Sequence, residues 1–145
     1  MLKVTVDDKK ARRQIRKLRK SVKDMRPAFN QVADQEIKNA QYRIRTSKMT
    51  PDGKQWQPWA YSTMKQRVRE GNVSKGLLFK TGMLLNKFFK KVTSARLTIS
   101  NKAPYARYLQ EGTSRMPARP FLGWGKETVK QSEKTLLDYF KKALR

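Results

Sequence analysis

The chain has 145 residues and carries 35 Lys and Arg against 11 Asp and Glu, a formal net charge of +24 at pH 7. This length suits one domain with one modest core. Because the sequence has no Cys and no His, it excludes disulfides, thiolate metal sites, the usual zinc sites and histidine-dependent nucleophile pairs. The positive charge is spread along the whole chain, so we expect a surface that attracts polyanions such as DNA or an acidic partner.

The first 46 residues are predicted to form a basic helical arm. After a short extended start (Leu2 to Val6), Asp7 and Asp8 are N-cap candidates for a helix that runs to about Met25. Its apolar residues recur at helical spacing, and cationic side chains cover the rest of its surface. The apolar stripe is Ile15, Leu18, Val22 and Met25. Six cations are predicted to face the DNA path or an acidic partner: Arg12, Arg13, Arg16, Lys17, Arg19 and Lys20.

A second helix is predicted after Pro27, which suits a first helical turn because an N–H there has no helical partner. Its buried face is predicted to hold Phe29, Val32, Ala33, Ile37, Ala40 and Ile44. The two helices can join as one bent rod. Both stripes favour packing on a sheet or a neighbouring subunit over a coiled coil, because only about three heptads keep the spacing.

Residues 46–60 are polar and rich in turns, and Thr50-Pro51-Asp52-Gly53 has the pattern of a β-turn. Trp56 and Trp59 are compatible with stacking on nucleic-acid bases, but loop tryptophans more often lie at a core edge or a subunit contact, and we favour that role. A short basic helix is predicted over residues 61–70, followed by a mobile loop over residues 71–76.

The following segment is predicted to hold a small sheet. A short helix from about Gly82 to Lys87 passes into a strand, and the alternation over residues 91–100 predicts a hairpin with its turn near Ser94. Pro104 can open a short helix over residues 105–110. Residues 126–144 predict a last amphipathic helix with Val129, Leu136, Leu137, Phe140 and Leu144 on one side. We therefore expect a single α+β domain, with a small antiparallel sheet packed by helices over residues 47–145 and the long basic helical region before it.

Residues 105–124 are the most informative segment. Large apolar residues at both ends flank an irregular linker that holds Gly112, Pro117 and Pro120. Gly112 can supply a positive φ, and the two prolines fix φ and restrict the residues before them. The segment is predicted to be a loop pinned at both ends into the core by Tyr105, Tyr108, Leu109, Phe121, Leu122 and Trp124.

Three separated stretches resemble the virion-morphogenesis or tail-completion (neck) proteins of tailed bacteriophages. The first, from Pro51 to Thr63, reads Pro-x-Gly-x-x-Trp-x-Pro followed by Thr, and the second, within residues 77–84, reads Leu-x-x-Thr-Gly-x-Leu. The third holds Tyr-Ala, Gly-Thr and Pro-x-Arg-Pro-Phe-Leu within residues 105–122. One branch of that family often has His-Gln before the Gly, where this chain has Gln-Glu, so a role of that histidine does not transfer. Seven residues are expected to hold the fold or a subunit contact: Trp56, Tyr105, Gly112, Arg119, Pro120, Phe121 and Leu122.

The resemblance implies a structural virion protein of the head–tail junction. Such a protein completes the tail or neck, enables the tail to join the filled head, and works as a homo-oligomeric ring next to the DNA path. The implied partners are further copies of the chain, other neck, connector or tail proteins, and genomic DNA. We expect it in the bacterial host cytoplasm before assembly and then in the virion. The N-terminus lacks the apolar stretch of a signal peptide, no window suits a membrane span, and no membrane partner is expected.

No pattern in the sequence indicates an enzyme or a cofactor. The carboxylates form no pair spaced like a metal or acid–base site, and no phosphate-binding loop is present. The alternative function is a nucleic-acid-binding protein without sequence preference. It explains the charge equally well, but it leaves the Arg119-Pro120-Phe121 segment without a role. A toxin-like or ribosome-associated protein rests on charge alone and ranks last.

Overall fold

A computed structural model describes residues 8–78 and 81–145 of the chain. The predicted extended start (Leu2 to Val6) and the cap candidate Asp7 lie outside these residues. The helices are α1 (Asp8–Lys23), α2 (Arg26–Tyr42), α3 (Tyr61–Arg69), α4 (Met83–Asn86), α5 (Ala106–Glu111) and α6 (Lys126–Leu144), and the strands are β1 (Phe88–Val92) and β2 (Leu97–Asn101). The predicted α+β fold with a small antiparallel sheet is confirmed.

The two N-terminal helices differ in how they pack. Residues 9–16 of α1 are all exposed, and the main neighbour of α1 is α6. Two residues, Asp24 and Met25, separate it from α2, which begins with Pro27 in its first turn as predicted. α2 buries small and branched side chains (Ala28, Val32, Ala33 and Ala40) against both strands and α6. Within the segment predicted as an arm, α2 therefore belongs to the packed body.

A π-helical turn, Arg43–Ser47, extends α2 and ends at Lys48 in the left-handed conformation. The chain then makes the predicted turn, in which the Gly53 N–H donates to the Thr50 carbonyl at 2.9 Å. Pro51 in this turn suits position i+1 because its φ is already fixed, and Gly53 at i+3 supplies the positive φ. This turn brings the chain back so that the Trp56 N–H donates to the Lys48 carbonyl at 2.9 Å.

The sheet is a two-stranded hairpin in which Phe88 pairs with Asn101 and Val92 with Leu97. Its turn falls at Ser94 and Ala95, as predicted, and Thr93 closes it through hydrogen bonds with Arg96. Residues 71–76, predicted as a loop, contain a 3-10 turn at Val73–Lys75. The hairpin packs against α2, so one face of the sheet is covered by a helix.

The core lies between the end of α2, α4, α5 and the pinned loop. Its buried apolar residues are Ile44, Trp56, Leu78, Leu84, Leu85, Ala103, Ala106 and Phe121. α6 has the predicted bounds, but its innermost side chain is the polar Thr128, and Val129, Leu137 and Leu144 of its predicted apolar face stay partly exposed. None of the helices in the described part of the chain has the length and apolar character that crossing a bilayer requires.

Candidate functional site

Arg119 ties the pinned loop to the turn-rich segment before α3. Its side chain is only 5% exposed, although arginine is usually found at the surface. Its Nε donates to the Gln57 carbonyl and its Nη2 to the Pro58 carbonyl, each at 2.9 Å. Burial lowers the pKa of the Arg119 guanidinium from its ordinary value. The planar guanidinium suits this place because it serves two successive carbonyls at once.

The turn-rich segment (residues 46–60) also binds the loop through Trp56. The Trp56 indole is buried, and its Nε1 donates to the Pro120 carbonyl at 3.0 Å. Next to it, Phe121 is 2% exposed and meets the Phe88 ring edge-on, with ring centroids 6.0 Å apart. Trp56 therefore lies in the core, where its ring is covered and not open for stacking on a base.

Gln110 at the end of α5 clamps the backbone on the far side of the loop. Its Oε1 accepts from the N–H groups of Phe121 and Leu122 at 3.2 Å each, and its Nε2 donates to the Leu122 carbonyl at 2.6 Å. The Arg119 N–H also donates to the Leu109 carbonyl at 2.7 Å. One amide side chain thus satisfies three backbone groups that the irregular loop leaves without secondary-structure partners.

Between its two anchors the loop turns tightly. Gly112 has φ of 77°, and a Cβ there would lie 2.8 Å from the Ala118 N atom. Thr113 and Met116 form a small antiparallel bridge, with the Thr113 N–H donating to the Met116 carbonyl at 2.8 Å. Residues 113–115, 117 and 118 are exposed. The loop therefore presents a defined shape to the outside, which glycine permits and any larger residue would disturb.

A buried ionic network holds the base of the loop against α2 and α6. Arg43 Nη1 donates to Glu36 Oε1 at 2.8 Å and to the Phe121 carbonyl at 3.1 Å, and its Nη2 donates to Thr128 Oγ1 at 3.0 Å. The Thr128 hydroxyl donates in turn to Glu36 Oε2 at 3.0 Å. Glu36 is 1% exposed, so the pair is stable there only because each charged group has several partners.

A groove of about 400 Å³ opens beside the loop. Trp59 and Arg67 lie on its α3 side, and Met116 and Pro117 on the loop side. The Trp59 Nε1 donates to the Leu77 carbonyl at 3.0 Å, and the Arg67 guanidinium lies 4.5 Å from the ring centroid. Trp59, like Trp56, is thus engaged within the chain, and the groove is an apolar surface with cationic groups at its edge.

The basic side chains predicted as a contact surface lie on α1, away from the pinned loop. α1 carries nine Lys and Arg and one carboxylate. Of the six predicted residues, Lys17 is partly buried, and Arg12, Arg13, Arg16, Arg19 and Lys20 are exposed. The apolar residues between them are also exposed, with Ile15 at 52%, Leu18 at 36% and Val22 at 55%. α1 is therefore an amphipathic helix whose apolar stripe the rest of the chain covers only in part.

The junction between α1 and α2 is fixed by Asp24. Its carboxylate accepts from Arg26 Nε at 2.8 Å and Nη2 at 2.7 Å, and its carbonyl accepts from the Tyr139 hydroxyl at 2.8 Å. The hydrogen bonds from the Arg26 side chain and N–H lower the pKa of Asp24 from 3.8 to about 2. These contacts tie the end of α1 to the start of α2 and to α6. Among the residues that the structure describes, no cluster of three acidic side chains suits a metal ion.

The comparison with protein families identifies the chain's relatives. The model of the phage virion morphogenesis family matches residues 6–141, nearly the whole chain. The chain belongs to the phage virion morphogenesis family. Membership gives it a role in phage virion assembly. No curated protein and no solved structure matches the chain.

In this family member, the predicted site residues fall into two separate places. The seven motif residues come together around the loop anchors: Trp56, Tyr105, Gly112, Arg119, Pro120, Phe121 and Leu122 all lie in or beside the core or the loop. The six basic residues lie on α1, whose main neighbour is α6. Sequence reasoning missed Gln110, Glu36, Arg43 and Thr128. A usable signal was the seven-residue spacing of Glu36 and Arg43, which places two charges on one face of α2 and its π-helical extension.

Proposed function

We propose that this phage virion morphogenesis protein completes the junction between head and tail, where copies of the chain form a ring around the DNA path. In this role it acts by contact with its neighbours and carries out no catalysis. Its location at the neck rests on the resemblance of three stretches to tail-completion and neck proteins.

The observation that carries the proposal is the way in which those three stretches interlock. Arg119 of the third stretch binds the Gln57 and Pro58 carbonyls of the first, and Trp56 of the first binds the Pro120 carbonyl of the third. Trp59 in the first stretch binds the Leu77 carbonyl at the start of the second. The three stretches thus build one hydrogen-bonded unit, as expected for a part that must present a fixed shape to its neighbours.

A ring also needs a patch that meets a different patch on the next copy. The exposed side of the pinned loop (residues 113–118) and the adjacent groove offer one such patch. A net charge of +24 on each copy opposes close packing of copies unless an anionic surface neutralises it. DNA phosphates in the channel or an acidic neighbouring protein would supply that neutralisation.

The proposal is tested with a phage that lacks this protein. Electron microscopy of its lysate should show filled heads beside finished tails that have not joined, and supply of the protein in trans should restore joined particles. Joined particles in its absence, or tails of abnormal length with normal junctions, would contradict the proposal.

The second candidate, a nucleic-acid-binding protein without sequence preference, is favoured by the charge alone. Such a protein would bind duplex DNA as a purified monomer or dimer, with an affinity that falls steeply as salt rises. A junction protein would bind DNA weakly on its own and would occur as a ring in particles. Binding of a random 30-base-pair duplex at several salt concentrations separates the two.

A further inference from the structure

Binding to DNA does not explain the exposed apolar stripe of α1. Binding to a phosphate backbone needs cations, and it leaves aliphatic side chains beside the DNA without an apolar partner. Ile15, Leu18 and Val22 nevertheless lie on one face of α1, each about one third to one half exposed. The spacing of these residues would suit packing on the body of the domain, but residues 9–16 of α1 are all exposed, and so are Leu18 and Val22.

Four of the cations that flank the stripe have no ion pair among the residues that the structure describes. In the described residues, no carboxylate lies within ion-pair distance of Arg13, Arg16, Arg19 or Lys20. Other cations do find such partners, for example Lys90 with Asp34 at 2.6 Å. A second copy of α1 is excluded as the partner, because it would bring nine further cations against the same surface.

We propose that α1 docks onto a partner protein whose surface is apolar at its centre and acidic around it. Ile15, Leu18 and Val22 enter the apolar centre, and the cations on both sides of the stripe pair with the surrounding carboxylates. This is the helix-in-groove mode of recognition, in which apolar residues of one helical face supply the anchors. The inference rests on the proposed function in one respect only, since it assumes that the partner is a neighbouring protein of the assembled particle.

Two variants of the full chain separate the stripe from the cations. Ile15→Gln with Val22→Gln replaces the two most exposed residues of the stripe, keeps every charge and keeps good helix-forming residues. Arg16→Gln, Arg19→Gln and Lys20→Gln together remove three charges and keep the stripe. Val68→Gln on α3 is the matched control, since Val68 is an apolar helix residue of similar exposure, at 60%. Circular dichroism and thermal melting establish that all three are folded.

Each variant is supplied in trans to a phage that lacks the protein, and the infectious titre is compared with binding of a 30-base-pair duplex. We expect the stripe variant to lower the titre at least tenfold and to leave the duplex affinity within about twofold. The charge variant should lower both, and the control should change neither. A normal titre with the stripe variant would overturn the inference and point to DNA as the partner of α1. If even complete loss of the protein leaves heads and tails joined, the proposed function fails instead.

Photo-crosslinking in assembled particles identifies the partner directly. A benzoylphenylalanine placed at position 15 keeps the stripe apolar, and we expect it to crosslink to a different virion protein, in a peptide with an excess of Asp and Glu. A crosslink to another copy of this chain, to DNA, or to a basic peptide would overturn the inference.

Discussion

Removal of the Arg119 side chain is the most direct perturbation of the interlocked loop. Its guanidinium donates to two successive carbonyls, of Gln57 and Pro58, at 2.9 Å each. Hydrogen bonds from a charged donor contribute about 1.5–3 kcal/mol each, and the cost of burying the guanidinium offsets part of that sum. We therefore expect Arg119→Ala to lower the free energy of unfolding by about 3 kcal/mol. For a chain of this size that corresponds to a melting temperature about 10 °C lower.

Urea unfolding followed by tryptophan fluorescence measures this loss, because Trp56 is buried beside the same loop. Arg107→Ala is the matched control. Its side chain is 80% exposed and pairs with Glu111 across one helical turn, a contact that contributes little to stability because water screens it. Arg119→Lys keeps the charge but loses the planar fork, so it should fall between the two. If Arg119→Ala and Arg107→Ala unfold with the same free energy, within about 0.5 kcal/mol, the loop is not held in the way described.

Three further changes test other parts of the site. Glu36→Gln leaves the Arg43 guanidinium without its carboxylate in a buried place, so unfolding in urea should show a loss of about 3–5 kcal/mol. Gly112→Ala adds a Cβ at a positive φ and close to the loop backbone, and calorimetry should show a loss of more than about 2 kcal/mol. Asp24→Asn should destabilise the protein at neutral pH, and the difference from the wild type should shrink as the pH falls from about 4 towards 2 in thermal melts.

Each of these has a control in the same chain. Asp34→Asn removes an exposed partner of Lys90 and should cost under about 1 kcal/mol, so an equal loss at Glu36 would contradict a buried network. Gly53→Ala is the control for Gly112→Ala. Gly53 also has a positive φ, but a Cβ at this position meets nothing within 4 Å. Gly53→Ala should therefore lose less stability than Gly112→Ala. Equal losses would show that the close contact with the Ala118 backbone is not the reason for the effect at Gly112.

The lowered pKa of Asp24 determines both the expected pH dependence and its control. Because its pKa in the folded protein lies below the unfolded value, the ionised carboxylate stabilises the fold above pH 4, and that contribution disappears as the pH falls through about 2. Arg26→Gln removes the cause, so the Asp24 titration followed by NMR should move back towards 3.8. An unchanged titration in that variant would show that Arg26 is not the cause.

Local sequence signals were enough for the main elements and for the turn of the loop, but two of the six side chains predicted to pin the loop into the core, Tyr108 and Trp124, are 57% and 54% exposed. Pro27, Pro51 and Gly53 act through their own backbone preferences, which is why the start of α2 and the first turn could be predicted. Gly112 was identified for the same reason, since its positive φ is a property of one residue. Such signals depend only on a residue and its neighbours in the sequence.

The bonds that hold these elements together could not be predicted in this way. Arg43 and Thr128 meet across 85 residues and Glu36 and Thr128 across 92, so their contact depends on the packing of α2 against α6. The Gln110 clamp needs the loop backbone already in place. The exposure of Ile15 on α1 was equally hidden, because a helical stripe reads the same whether its own chain or a partner covers it.

Cryo-electron microscopy of the head–tail junction in intact particles tests the central claim most directly. We expect several copies of this chain between head and tail, related by rotation about the particle axis, with the pinned loop of each copy against its neighbour. Intact particles in which the chain is absent, or lies at another site such as the distal end of the tail, would contradict the account.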